Sequence, residues 1–290
     1  MGYKVDNAVI LAAGASSRFA PLSYERPKAL IEVRGEILIE RQIRQLKEAG
    51  IPEIILVTGY KKEQFSYLRD KFGVKMVDNP EYLHRNNYSS IYRVKEFLHN
   101  TYICSSDNYF AENPFECEVE DCYYSAVYAE GWTDEWCMEE DSEGFISDVH
   151  IGGKDAWYML GHAFWSETFS RNFLEILEQI YEQPETKDLL WEAIFKEHLH
   201  RLKMKIRRYP EHMIFEFDTL DELRQFDRSY IKDTRSQILK SLTKRLNCRE
   251  EQIEKVQACK GMNNEAAGFR FWVGTDEYEY CYEDGALRRL

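Results

Sequence analysis

The sequence contains no run of about 18 apolar residues, the least a helix needs to cross a bilayer, so no membrane insertion is expected. Its start lacks the basic, apolar and small-residue pattern of a secretory signal. No Cys-x-x-Cys pair occurs, and the seven cysteines (Cys104, Cys117, Cys122, Cys137, Cys248, Cys259 and Cys281) are odd in number. Unpaired cysteines without a signal predict a reducing, cytoplasmic setting. His198 and His200 stand two apart in a segment that reads as helix, so they point to different faces and offer no zinc-ligand spacing. Basic residues are outnumbered, 38 against 51 acidic, for a formal net charge of −13. A surface that acidic repels phosphate backbones and argues against nucleic acid as a partner, although a locally basic pocket can still take a small anion. Internal repeats and low-complexity linkers are also missing.

What is present is enough apolar material, 44% of 290 residues, for one large domain or a domain with an appendage. Residues 7–11 (N-A-V-I-L) form a short apolar run that ends at Ala12-Ala13-Gly14, a buried parallel strand feeding a glycine loop. A helix is expected over 37–49, closed by Gly50, then a strand over 53–58. A charged helix over 62–72 is closed by Gly73, followed by a strand over 74–77, a helix over 89–97 and a strand over 102–105. Strand and helix alternating through short connections imply a parallel sheet with crossover helices. Beyond Asp107 the aromatic stretches 122–129, 145–151 and 158–165 read as added antiparallel strands. Helices are expected over 170–182, 188–200 and 221–227, and a strand over 213–217. From about Ser229 a charged helix (231–246) leads to a hairpin around Gly274 that alternates aromatic and acidic residues through Tyr278, Tyr280 and Tyr282. The expected division is 1–228 for a main domain and 229–290 for a small α+β appendage.

The strongest chemical signal is Leu11-Ala12-Ala13-Gly14-Ala15-Ser16-Ser17-Arg18, followed by Pro21-Leu22 and Pro27-Lys28-Ala29-Leu30. Small residues let the backbone approach a base and a triphosphate, and successive N–H groups in such a loop form an anion-binding concavity. Arg18 can fork onto phosphate oxygens and Lys28 adds a compact positive charge. The loop is neither a P-loop nor a G-x-G-x-x-G turn. Asp107 lies just past a strand end, where open α/β sheets place ligands, and Asp218 lies at a second strand end.

The chain resembles the sugar-phosphate-type nucleotidyltransferases, in particular the bacterial CTP:phosphocholine cytidylyltransferases, over residues 5–226. The resemblance rests on the loop and on Val57-Thr58-Gly59-Tyr60, Asn86-Asn87-Tyr88-Ser89-Ser90, Ser106-Asp107-Asn108-Tyr109 and Asp134-Glu135-Trp136. Gly161-His162-Ala163-Phe164-Trp165 and Glu216-Phe217-Asp218-Thr219-Leu220-Asp221 complete it. It implies a Rossmann-like three-layer α/β fold with a mixed, mainly parallel sheet, and CMP transfer from CTP with release of pyrophosphate. It implies Mg²⁺ held by Asp107 and Asp218, with Arg18 on the leaving pyrophosphate and Lys28 at the α-phosphate. The nucleotide is expected at Leu11, Ala12, Ala13, Gly14, Ala15, Ser16, Ser17, Arg18, Lys28, Asn87, Tyr88, Ser89 and Ser90. Ser105 departs from the family, which often carries a second Asp there.

The acceptor implied is a small zwitterionic phosphate or phosphonate, contacted by Tyr109, Asp134, Trp136, Trp191 and Glu192. A quaternary ammonium is bound best by aromatic faces, which favours phosphocholine. Leu190 stands where the family has a Tyr, and the carboxylates of Asp134, Glu135 and Glu192 suit a primary ammonium, which keeps 2-aminoethylphosphonate and phosphoethanolamine open. A sugar-1-phosphate nucleotidyltransferase and an inactive nucleotide-binding regulatory module are the remaining alternatives. The motif Lys260-Gly261-Met262-Asn263-Asn264 resembles the start of a choline-kinase-like domain. The alternative is a small appendage that packs or dimerises, so a homodimer is admitted as a partner arrangement.

Overall fold

The strand Asn7–Ala12 lies in the interior of a seven-stranded sheet, because its residues are apolar on both faces and are buried on both. From one edge the order is Lys205–Tyr209, Tyr123–Glu140, Ile146–Trp165, Thr101–Ser105, Asn7–Ala12, Glu53–Thr58 and Lys75–Asp78. The pairings are parallel except on either side of Ile146–Trp165, so this one strand runs against the rest. The protein is seen here in a computed structural model that describes residues 2–261 and 265–290. Met262, Asn263 and Asn264 of the tail motif therefore lie outside the described residues.

Alternation along the strands builds three layers. Val9, Ile55, Val57, Ile103 and Trp165 face a core filled by Tyr88, Ile91, Phe169, Phe173, Trp191 and Phe195 from the helices of one side. Ala8, Ile10 and Leu56 point the other way and are buried too. The helix Leu38–Glu48 buries Ile39, Ile43 and Leu46, the stripe its spacing predicts. Aromatic side chains stand among the aliphatic ones of the first core, where each removes a large area from water.

Several elements differ from the sequence reading. The stretches 122–129, 145–151 and 158–165 are parts of two long strands, Tyr123–Glu140 and Ile146–Trp165, paired as one ribbon with several register shifts. The charged segment 130–140 shows no core-facing alternation, since much of the ribbon there is exposed. The strand Lys205–Tyr209 was not expected, because three of its five residues are basic. Those charges are met by Asp121, Glu116 and Glu140. The expected helix over 188–200 is shortened to Trp191–Glu197. The expected helix over 231–246 is two helices, Ser229–Lys232 and Gln237–Leu246. The break comes at Arg235, whose φ is +64°, and Ser236 caps the second helix.

The chain forms two compact units, Met1–Gly14 with Ile39–Glu216, and Ala15–Leu38 with Phe217–Leu290. The first holds the seven-stranded sheet. The second holds the segment after the glycine, the helix Leu220–Phe226, and a four-stranded antiparallel sheet in the order Ile253–Lys260, Ala266–Val273, Asp276–Cys281, Leu287–Arg289. The boundary expected at 228/229 falls inside the second unit.

Candidate active site

In the first unit the strand Asn7–Ala12 delivers Ala12 and Ala13, both buried, to the exposed Gly14. Leu11 is half-buried. The Ala13 carbonyl accepts the Tyr60 N–H at 3.0 Å. A Cβ on Gly59 would stand 2.8 Å from the Tyr82 ring and 3.0 Å from the Ala13 oxygen, so only glycine lets residues 57–60 approach this closely. Gly14 is the opposite case. A Cβ there would meet no protein atom within 4 Å, so the fold does not demand glycine, and the open space is available to a ligand.

The stretch Asn87 to Ser90 opens the helix Tyr88–Arg93. Tyr88, Ser89 and Ser90 are buried, and the buried Asn79 donates to both serine hydroxyls at 2.9 and 3.0 Å. The Tyr88 hydroxyl accepts from Arg85 at 2.8 Å. These three side chains, expected among the nucleotide contacts, are buried and occupied by these bonds, so their backbone is the part left to meet a nucleotide. Asn87 faces elsewhere: its Oδ1 accepts the Trp191 N–H at 2.8 Å and its Nδ2 donates to Glu192 Oε2 at 3.2 Å.

Glu192 lies in a cleft of about 210 Å³ whose lining includes Asn87, Ser105, Tyr124, Trp136, Leu190 and Glu216, closed by the 159–161 segment. Its Oε1 accepts the Tyr124 hydroxyl at 3.2 Å. Burial of the carboxyl pushes its pKa up to about 7, against the lowering pull of the Asn87 and Tyr124 donors. Gly161 shapes the wall, since its φ is +108° and a Cβ would stand 2.6 Å from Ser125 Oγ. Glu216 accepts from Asn108 Nδ2 at 3.3 Å. Two aromatic residues, Trp136 and Tyr124, and two carboxylates thus border one cleft, a composition suited to a small cation.

Of the five expected acceptor contacts, Trp136 and Glu192 line this cleft. Trp191 does not present a face. It is 2% exposed, stacked on Tyr124 at 5.4 Å and edge-on to Trp165 at 5.1 Å, so it backs the wall. Tyr109 is buried with Arg41 over its ring at 4.7 Å, and Asp134 is exposed on the long ribbon; neither borders the cleft. Asp107 is half-buried in the turn that follows Thr101–Ser105. Asn87, Tyr124 and Glu216 were not foreseen as cleft residues. Glu216 stood within a quoted motif, whereas Tyr124 carried no local signal beyond an aromatic strand.

In the second unit Ala15, Ser16 and Ser17 are half-buried, Ser16 has φ +47°, and the Phe19 N–H closes a turn on the Ser16 carbonyl at 2.9 Å. Arg18 Nη1 lies 2.8 Å from Asp218 Oδ2, and Lys28 Nζ lies 3.5 Å from Asp218 Oδ1. The three expected charged residues therefore meet, one cation on each carboxylate oxygen. Arg18 is 75% exposed, so water screens its pair and the contact is readily exchanged. Lys28 is 3% exposed, and a charge buried that deeply needs an anion at hand. The Asp218 backbone N–H donates to Glu222 at 2.7 Å, part of a capping box in which Thr219 accepts the Glu222 N–H at 3.2 Å.

Residues 8–111 match the MobA-like NTP transferase domain. A choline-phosphate cytidylyltransferase of Streptococcus pneumoniae is 35% identical over 220 residues, covering 76% of this chain and 96% of the relative. A 2-aminoethylphosphonate cytidylyltransferase of Lancefieldella rimae is 34% identical over 235 residues, covering 79% and 95%. The solved structure of the CTP:phosphocholine cytidylyltransferase from Streptococcus pneumoniae superposes with a TM-score of 0.74, covering 78% of this chain and 99% of that one. An inositol-1-phosphate CTP transferase from T. maritima shares the fold with a TM-score of 0.58 at 16% identity.

Proposed function

The chain belongs to the nucleotidyltransferase family that includes these cytidylyltransferases, and on that premise we propose that it transfers CMP from CTP to phosphocholine, releasing pyrophosphate. The observation that carries the acceptor class is the cleft in which the Trp136 ring stands with the carboxylates of Glu192 and Glu216. A quaternary ammonium donates no strong hydrogen bond, so it is held by a ring face and by negative charge nearby.

In the proposed reaction an oxygen of the acceptor phosphate attacks the α-phosphorus in line with the departing pyrophosphate. No covalent intermediate on the protein is required, and positioning with charge neutralisation supplies most of the rate. Gly14 leaves room for the nucleotide, and the small residues Ala12 to Ser17, which follow Leu11, bring backbone close to it. Arg18 and Lys28, now shared by one carboxylate, are the cations that take phosphate oxygens. We assign Arg18 to the pyrophosphate and Lys28 to the α-phosphate. Nucleotidyltransferases of this kind generally use a divalent metal, and the hard carboxylate oxygens of Asp107 and Asp218 fit Mg²⁺. Bound there, Mg²⁺ would offset phosphate charge.

One feature favours a second acceptor. Leu190 borders the cleft where an aromatic wall was expected, and Trp191 lies behind it. With two carboxylates in the same lining as Trp136 and Tyr124, a primary ammonium such as that of 2-aminoethylphosphonate is also accommodated. Turnover with CTP of phosphocholine, phosphoethanolamine, 2-aminoethylphosphonate and glucose-1-phosphate, by wild type and Trp136→Ala, separates the readings. Phosphocholine is expected to be used best and to suffer most from Trp136→Ala. Preference for the primary amines, undisturbed by Trp136→Ala, moves the assignment to the second acceptor.

A further inference from the structure

The short helix Leu22–Glu25 lies between Arg18 and Lys28 in the chain. Four residues cannot hold a helix by themselves, so something else must fix it. The Glu25 carboxylate accepts the N–H groups of Gln237 and Ile238 at 2.9 and 3.0 Å and the Ser236 hydroxyl. It thereby caps the helix Gln237–Leu246 with a negative charge at the end where the helix dipole favours one. The neighbouring Tyr24 ring stacks on Tyr282, centroids 3.7 Å apart and planes 2° from parallel.

The other flank of Lys28 is gripped as well. The Glu32 carbonyl accepts the hydroxyl of the buried Tyr230, and the Glu32 carboxylate lies 3.3 Å from Arg235. Arg235 in turn covers the Tyr230 ring at 4.2 Å. Asp218 is reached by a third route. Its N–H is bound by Glu222 of the helix Leu220–Phe226, and Arg224 of that helix donates to the carbonyls of Ile253 and Glu250 at 2.6 and 2.8 Å.

We propose that the chain from Ser229 onward is a positioning device for the nucleotide loop: it grips the loop on both sides of Lys28 and anchors the helix behind Asp218, setting where the three charged groups stand. Glu25, Tyr282 and Arg224 are positioning residues and touch no substrate. The inference rests on the reading of Arg18, Lys28 and Asp218 as triphosphate-side groups. It implies that loosening the grip degrades nucleotide use and spares the acceptor cleft, which is built from the other unit alone.

The test uses the full-length enzyme. Glu25→Gln, Tyr282→Ala and Tyr282→Phe are compared with wild type for kcat and for the KM of each substrate, well below each variant's Tm. Glu25→Gln and Tyr282→Ala are expected to lower kcat/KM for CTP about fivefold or more, through kcat where Lys28 is displaced and through the CTP KM where Arg18 is, because small misplacements of charged groups are costly. The acceptor KM should stay within about twofold, and Tyr282→Phe, which keeps the stacked ring, should restore wild-type values. Unchanged kcat and CTP KM in both disruptive variants overturn the proposal. So does a parallel rise of both KM values, which marks a general structural role. If wild type itself prefers another nucleotide, the assignment of CTP fails separately, and the same ratios are read with the nucleotide it uses.

Discussion

Gly14 carries no side chain at a place where one would touch nothing of the protein. Gly14→Ala should therefore leave Tm unchanged or slightly raised, since alanine lowers the entropy of the unfolded chain, while the CTP KM rises about tenfold through collision with the nucleotide. A Tm scan beside nucleotide kinetics checks both halves, and an undisturbed CTP KM removes Gly14 from the nucleotide site. Lys28→Ala should chiefly lower kcat, because its charge matters most as charge builds at the α-phosphate. A change confined to CTP affinity would reassign Lys28. At Glu192 burial raises the carboxyl from its ordinary 4.5 to about 7. The native state then holds a proton that the unfolded chain has released, so this group's contribution to stability falls as pH rises from about 4.5 through 7. The ionised form is the one that attracts an ammonium, so acceptor KM should rise as pH falls through 7. Glu192→Gln should flatten that profile, raise acceptor KM at pH 8, and yet melt higher than wild type at pH 8. A variant that melts lower there, with an unaltered acceptor KM, contradicts the role given to Glu192.

The capping box of the helix Leu220–Phe226 joins element stability to the site, because Glu222 accepts the N–H groups of both Asp218 and Thr219. Thr219→Ala and Glu222→Ala should each cost about 1 kcal/mol in urea unfolding. Glu222→Ala should also lose activity beyond what its stability explains, because it frees the Asp218 backbone. Equal activity in the two variants would make the box structural only. Elements of this kind were legible where one local force dominated. Apolar runs marked the strands at 7–12 and 53–58, and the helix Leu38–Glu48 showed in its stripe. The strand Lys205–Tyr209 was not legible, because its Lys and Arg residues are balanced by Asp121, Glu116 and Glu140 far away in the chain. The helix break at Arg235 escaped because a left-handed arginine has no sequence signature.

At the scale of the molecule, the net charge of −13 leaves the cations of the 15–28 segment as a local exception. The meeting of Arg18, Lys28 and Asp218 follows the motifs that named them. The cleft was half visible: Trp136 and Glu192 could be named, while Asn87 reaches Glu192 across 105 residues, a distance over which sequence spacing says nothing. Removal of divalent metal with EDTA should abolish turnover, and Mg²⁺ should restore it. Asp107→Ala and Asp218→Ala should each fall below about a tenth of wild-type activity, a loss of more than about 1.4 kcal/mol of transition-state stabilisation; Asp107→Ala should keep the wild-type Tm, whereas Asp218→Ala should melt lower because the buried Lys28 loses this ion pair. The most direct measurement is ³¹P NMR of the purified protein with CTP, Mg²⁺ and phosphocholine. Paired diphosphate resonances of a CDP-linked product, growing in step with pyrophosphate, are the predicted result. Unchanged CTP and phosphocholine, with product formed only from another nucleotide or from a sugar phosphate, would contradict it.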